Sequence, residues 1–284
     1  EEEWLPNTYE PIAESRRQAN EIKKREPIMV VIGNPPYKEK AKGLGGWVEA
    51  EKLRDWMPPA KWGVGAHAKH LRNLYIYFWR WATYKVFDQD ESTDTGIVCF
   101  ITVAGFLNGP GFEKMRDYLR RRANEIRVID CSPDGHQPDV PTRVFQDVQQ
   151  PVCIVLVSRA GRDEATPAVV RYRVLPKGDR QRKFEELARI TLDDEGWVEC
   201  PNEWRSPFLP AATGAWAMFP GLDDFFVYSG SGVMPGRTWV IAPDAESLNR
   251  RWDTLTNAPA QKKEALFHPH EVRGELSDRH VMRP

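Results

Sequence analysis

Asn34-Pro35-Pro36-Tyr37 places an amide, two conformationally fixed carbonyls and an aromatic face directly after the apolar run Ile28-Met29-Val30-Val31-Ile32-Gly33. That set suits the exocyclic amino group of a flat ring. The lone pair of an amino nitrogen such as adenine N6 is delocalised into its ring, so the nitrogen attacks a methyl group only when that pair is drawn back. Two acceptors on its N–H bonds do this. The Asn34 side-chain oxygen and the Pro35 carbonyl can both accept, the prolines fix φ near about −65° and hold the acceptors still, and Tyr37 offers a stacking platform. Asn-Pro and Pro-Pro are also ordinary turn formers after a strand, so the rest of the chain has to decide.

The elements around this turn alternate. Residues 11–25 read as a polar helix, Ile28 to Gly33 as a buried strand, and Lys38 to Gly65 as a long loop carrying Gly43-Leu44-Gly45-Gly46. Those glycines lack the Lys-Ser/Thr of a phosphate loop, and are expected instead to let the loop close over a substrate. From Lys69 to Phe87, apolar residues recur at three- and four-residue spacing and predict a helix. A strand at 96–103, a helix at 112–124 and strands at 126–131 and 152–157 follow. Continuous apolar runs separated by helices imply a parallel sheet covered on both faces. Ligands of such sheets lie beyond the carboxyl ends of the strands, where Asn34 to Tyr37 falls. Further on, Val169 to Leu175 alternates as an exposed strand, residues 180–188 and 245–255 read as helices, and short aromatic-rich segments begin near residue 200.

At 284 residues with 41% apolar and 29% charged positions, the chain has the composition of a globular protein with room for one large or two modest domains. A net charge of −1 excludes a uniformly basic nucleic-acid coat. Any DNA affinity has to come from local patches, and there are two candidates. Arg116, Arg120, Arg121, Arg122 and Arg127 form one, and the basic residues from Arg159 to Arg189 form the other; both patterns also suit plain solvated surface. Trp239 and Trp252 are expected to pack in a small core. Cys99, Cys131, Cys153 and Cys200 fit no metal spacing and read as buried thiols in a reducing compartment. His67 with His70 and His268 with His270 lack third and fourth ligands, so no metal is expected. The longest apolar run, Ile97 to Leu107, is about half of a membrane span, and the acidic start carries no secretory signal. The expectation is a cytoplasmic protein with no membrane partner.

Val31-Ile32-Gly33-Asn34-Pro35-Pro36-Tyr37 resembles motif IV of the amino-group DNA methyltransferases that form N6-methyladenine. Enzymes that methylate a glutamine of release factors share the last four residues. Asn73-Leu74-Tyr75 opening a long helix, the strand Gly96 to Ile101, and Phe112-Glu113-Lys114-Met115-Arg116 opening another helix resemble the later motifs of the adenine enzymes. Val144-Phe145 ahead of Pro151 to Val157 resembles their motif VIII. A finer likeness, over roughly residues 25–280, is to the methyltransferase and specificity regions of type ISP restriction-modification enzymes. It rests on the run from Asn73 to Trp81 and on Gly236-Arg237-Thr238-Trp239.

This resemblance implies an α/β fold: the C-terminal part of a Rossmann-like, S-adenosylmethionine-dependent methyltransferase sheet, mostly parallel with Val152 to Val157 as an antiparallel edge strand. Part of a mixed target-recognition domain would follow, with residues 1–199 catalytic and 200–284 reading DNA. It implies methylation of adenine N6 on a base flipped out of double-stranded DNA. Asn34, Pro35, Pro36 and Tyr37 would be catalytic, Tyr37 and Phe145 would contact the base, and Pro36 would pack against S-adenosylmethionine. The family's glycine-rich cofactor turn is missing from residues 1–33. It is expected upstream, as are nuclease and helicase-like regions of the same polypeptide if the protein is of the type ISP kind. Two other readings remain open: methylation of protein glutamine or RNA, and a catalytically inert DNA-specificity fragment.

Overall fold

A computed structural model describes residues 10–90, 93–133, 144–145, 148–161, 165–225 and 241–267. The chain divides into two compact units, Glu1–Ala217 and Met218–Pro284. The first unit thus runs past the expected boundary near 200. Cys200 and Phe208 are buried in its core, and the Phe208 N–H donates to the Leu107 carbonyl at 2.8 Å.

After helix α1 (Glu10–Arg25), a six-stranded sheet forms the centre of the first unit, in the order β1 (Val30–Gly33), β2 (Thr95–Val103), β4 (Val152–Ala160), β3 (Glu125–Asp130), β5 (Val169–Val174), β6 (Val198–Glu199). Pairing is parallel for β1 with β2 and for β3 with β5, and antiparallel for β4 with both neighbours and for β6 with β5. β1, β2, β3 and β5 therefore run one way. The direction expected of Val152 to Val157 is right and its place is not, because β4 lies between β2 and β3. Its pairing extends from Thr95↔Ala160 to Val103↔Val152 on one side and from Glu125↔Ser158 to Asp130↔Cys153 on the other. Val152, Cys153, Val155 and Val157 are all at most 1% exposed, as suits an interior strand. The antiparallel strand at the sheet's edge is β6.

β1 is the opposite case. Its continuous apolar run predicts a buried strand, yet it lies at the sheet's edge, with Val30 52% and Ile32 76% exposed. Val30 pairs with Ile97, itself 37% exposed, so this corner of the sheet is open on one face rather than covered on both. The other face of β2 is well packed. It carries Val98, Phe100 and Thr102, and receives α2 (Leu74–Thr83). The Trp79 ring meets Phe100 edge-on at 4.9 Å and 78°, and its indole N–H reaches the Thr102 hydroxyl at 3.4 Å. The single helix expected over 69–87 is broken into three. Gly65–Arg72 is a 3-10 run, Asn73 is extended with φ −89° and ψ 144°, α2 follows, and Tyr84–Asp88 is a π turn.

Both arginine patches are divided: Arg121, Lys177, Arg180, Arg182 and Arg189 are exposed, while others are drawn into the fold. On α3 (Glu113–Arg122), Arg116 is 2% and Arg120 0% exposed. Arg116 donates to the carbonyls of Phe106, Gly109 and Arg205. Arg120 donates to those of Ala168, Pro201 and Ser206. Burial pulls both guanidinium groups down to about 10. In the second patch Arg159 is buried against the carbonyls of Val86, Phe87 and Thr93, Arg171 pairs with Glu125, and Arg173 pairs with Glu186 and Asp194. Lys183, on α4 (Arg180–Leu187), is fully buried on the Cys131 carbonyl. These cations close the fold. A fixed guanidinium fork satisfies several main-chain acceptors at once where the chain has no ladder partner.

Within the second unit the described helices are α5 (Leu222–Phe225), α6 (Ala245–Asn257) and α7 (Ala260–Phe267). Asp244 caps α6 by accepting the Ser247 N–H at 2.6 Å. Trp252, expected in a small core, is 44% exposed. Gly236 to Trp239, His268 and His270 lie outside the described residues.

Candidate active site

β1 ends at Gly33 and delivers the turn to the carboxyl edge of the sheet. Asn34 and Pro36 are exposed there, Pro35 is buried and Tyr37 is half-buried. The Asn34 side chain hydrogen-bonds to no other described residue, which leaves its oxygen open to a ligand. Gly33 pairs with Phe100, and a Cβ at this position would stand 3.1 Å from Phe100 Cε1. Phe100 is itself fixed against Trp79, so the strand tip rests on an unyielding core. Gly33→Ala is expected to cost about 1–3 kcal/mol of stability by overpacking and to slow turnover together. Denaturant unfolding checks the first, and an unchanged unfolding free energy would show that the ring gives way.

Tyr37 bridges two hydrophobic clusters, the main core and a smaller one built on Cys131, Val144, Val152 and Leu175. Its hydroxyl donates to the Ile101 carbonyl at 3.4 Å, and burial raises its pKa, so the phenol stays neutral. Phe145 belongs to the smaller cluster. Its ring lies 6.2 Å from that of Tyr37 at an interplanar angle of 60°. The two aromatics singled out from separate stretches of sequence are thus brought together. Burial pushes the nearby Cys131 thiol up to about 12 and the Cys153 thiol well above its ordinary value, so neither supplies a thiolate at neutral pH.

The turn is tied down on its far side by the start of α2. The Leu74 N–H donates to the Lys38 carbonyl at 2.8 Å and the Ala41 N–H to the Arg72 carbonyl at 2.8 Å. The Lys40 N–H donates to Asn73 Oδ1 at 3.1 Å. The glycine loop beyond is latched as well, because Glu49 Oε2 accepts the N–H groups of Gly43 and Gly45 at 2.8 and 3.2 Å. Spacing alone did not reveal these contacts. The usable signal was an asparagine directly ahead of an apolar helix, which reads as a cap and turns out to face another loop. An open cavity of about 820 Å³ lies beside Tyr172, Arg182, Glu186 and Pro210, and one of about 530 Å³ beside Asn108, Arg116 and Trp204. Neither is lined by residues 34–37.

Among the described residues no group of three or more His, Cys, Asp or Glu side chains could hold a metal ion, and no helix is long and apolar enough to cross a membrane. The fold is shared with parts of several proteins of known structure. One is the ATP-dependent Type ISP restriction-modification enzyme LlaBIII bound to DNA (TM-score 0.55, 21% identity, 72% of this chain and 14% of that one). Another is a nuclease-deletion mutant of the Type ISP enzyme LlaGI in complex with a DNA substrate mimic (TM-score 0.54, 15% identity, 69% and 19%). A third is the DrdV-DNA complex (TM-score 0.50, 19% identity, 68% and 19%). The chain therefore spans 14–19% of the length of these proteins. No curated protein matches it by sequence. Residues 6–136 match the Eco57I restriction-modification methylase family.

Proposed function

We propose that the chain carries the target-base site of a site-specific DNA adenine methyltransferase, working within a restriction-modification enzyme of the type ISP kind. The observation that carries this reading is an exposed Asn34 just past the end of β1, bonded to no other described residue, in the same turn as Tyr37, whose ring meets that of Phe145. An adenine in a duplex hides its amino edge, so it has to be flipped out at a cost of a few kcal/mol. Stacking on Tyr37 recovers about 1–3 kcal/mol of that. The two rings now touch at a tilt, so a base entering against Tyr37 requires Phe145 to turn aside. Asn34 Oδ1 and the Pro35 carbonyl accept the two N6 hydrogens and restore electron density to the nitrogen. S-adenosylmethionine, when bound, supplies the electrophilic methyl group. The methylated amine is strongly acidic and loses its proton to solvent, so no carboxylate base is required.

The residues present fit the methyl-facing side of that cofactor and no more. Pro36 is exposed beside Asn34 and would pack against it. The open edge of β1, with Val30 and Ile32 bare, is apolar surface of the kind that a neighbouring strand and its helix cover. Cofactor-binding strands pairing there would complete the sheet. DNA reading, expected of residues 200–284, would fall mainly to the second unit, since Cys200 and Phe208 serve the core of the first. The partner is double-stranded DNA, consistent with the DNA complexes among the structures that share the fold.

Label transfer from S-adenosylmethionine by the complete protein separates this reading from its rivals. Label should enter adenine of duplex DNA; label in RNA or in a protein glutamine would favour the alternatives. Tyr37→Ala should lower the 2-aminopurine fluorescence gained on binding a duplex with the probe at the target position, and should weaken hold on the flipped base by about 1–3 kcal/mol. An unchanged signal would leave Tyr37 as core packing alone.

A further inference from the structure

Asn73 stands at the N-cap of α2 with extended backbone, yet its side chain caps no N–H of the helix. Asparagine at this position ordinarily accepts an N–H from the second or third helical residue. Here the residue is 4% exposed and its Oδ1 accepts the Lys40 N–H at 3.1 Å. Its partner is unusual as well. With φ 52°, Lys40 is the one non-glycine residue in the left-handed region among the described residues, a conformation that persists only when the surroundings hold it. The hydrogen bonds from Leu74 to Lys38 and from Ala41 to Arg72 flank this contact. Residues 38–41 are thus fastened at three points across the start of α2.

We propose that Asn73 is a positioning residue for the Asn34–Tyr37 turn. The inference rests on the functional reading above. The turn is anchored at Gly33 by the β1–β2 ladder and at Lys38 to Ala41 by α2, so those two anchors set where Asn34 Oδ1, the Pro35 carbonyl and the Tyr37 ring stand. Without the Asn73 acceptor, the Lys40 N–H loses its partner and the left-handed backbone loses its support. The turn then relaxes. Amino-group activation depends on acceptor placement to within about 1 Å, and such displacements cost up to about a hundredfold in rate.

The test compares Asn73→Ala, Asn73→Asp and Asn34→Ala with the wild type in the complete protein on a target duplex. Asn73→Ala should lower kcat by about tenfold to a hundredfold while KM for DNA moves by less than about threefold. Asn73→Asp keeps an oxygen for Lys40 at a helix N-terminus, where a carboxylate is favoured. Its kcat should return to within about threefold of wild type. The proposal is overturned if Asn73→Ala, assayed where it is still folded, keeps the wild-type kcat, or if Asn73→Asp is as slow as Asn73→Ala. Wild-type turnover in Asn34→Ala would instead remove the functional reading itself, and the role of Asn73 with it.

Discussion

Asn34→Ala in the complete protein is expected to slow methyl transfer to duplex DNA by about a hundredfold to a thousandfold, the loss seen when one preorganised partner of a developing charge is removed. The Kd for DNA should stay within about threefold, because an interaction that strengthens only in the transition state contributes little to ground-state binding. The structure sharpens this expectation. Asn34 is exposed and its side chain bonds no other described residue, so its loss disturbs little of the fold, and stability should change by no more than about 0.5 kcal/mol. Single-turnover kinetics at saturating DNA, with binding followed by fluorescence anisotropy, give both quantities. Equal losses in rate and affinity would show Asn34 to be an ordinary contact.

Arg120→Met should do the reverse, lowering stability steeply while leaving the salt dependence of DNA binding intact. Arg120 is fully buried and holds the carbonyls of Ala168, Pro201 and Ser206, with Phe208 against its guanidinium at 5.1 Å. Methionine fills part of the space and satisfies none of those acceptors. Each buried orphan costs about 1–3 kcal/mol, so a total of about 3–5 kcal/mol is expected in denaturant unfolding. An arginine on a phosphate gives the opposite signature: near-normal stability, and a salt slope reduced by about one. That result would return α3 to the DNA interface.

Much of the fold was legible because its signals are local. The runs at 96–103 and 126–131 became β2 and β3 within a residue or so, and the helix expected at 112–124 became α3, Glu113–Arg122. Spatial order was not legible. A continuous apolar run looks the same at the middle and at the edge of a sheet, which is why Ile28 to Gly33 reads as buried and β1 is an edge strand, while Val152 to Val157 reads as an edge and β4 is interior. The arginines failed for a related reason. Charge in a sequence does not say whether the partner is water, a phosphate or a buried carbonyl, and Arg116, Arg120 and Arg159 took the last. The candidate site rests on residue type. Tyr37 and Phe145 carry their chemistry in residue type, and the structure places their rings 6.2 Å apart. The role of Asn73 was hidden because its partner, Lys40, lies on a loop with no periodicity to reveal it.

The most direct measurement is a structure of the complete protein with its target duplex and a cofactor analogue. An adenine is expected out of the helix, its ring against Tyr37, with N6 within about 2.7–3.2 Å of both Asn34 Oδ1 and the Pro35 carbonyl oxygen. A flipped base held elsewhere, or an N6 that meets neither oxygen, would contradict the proposed site.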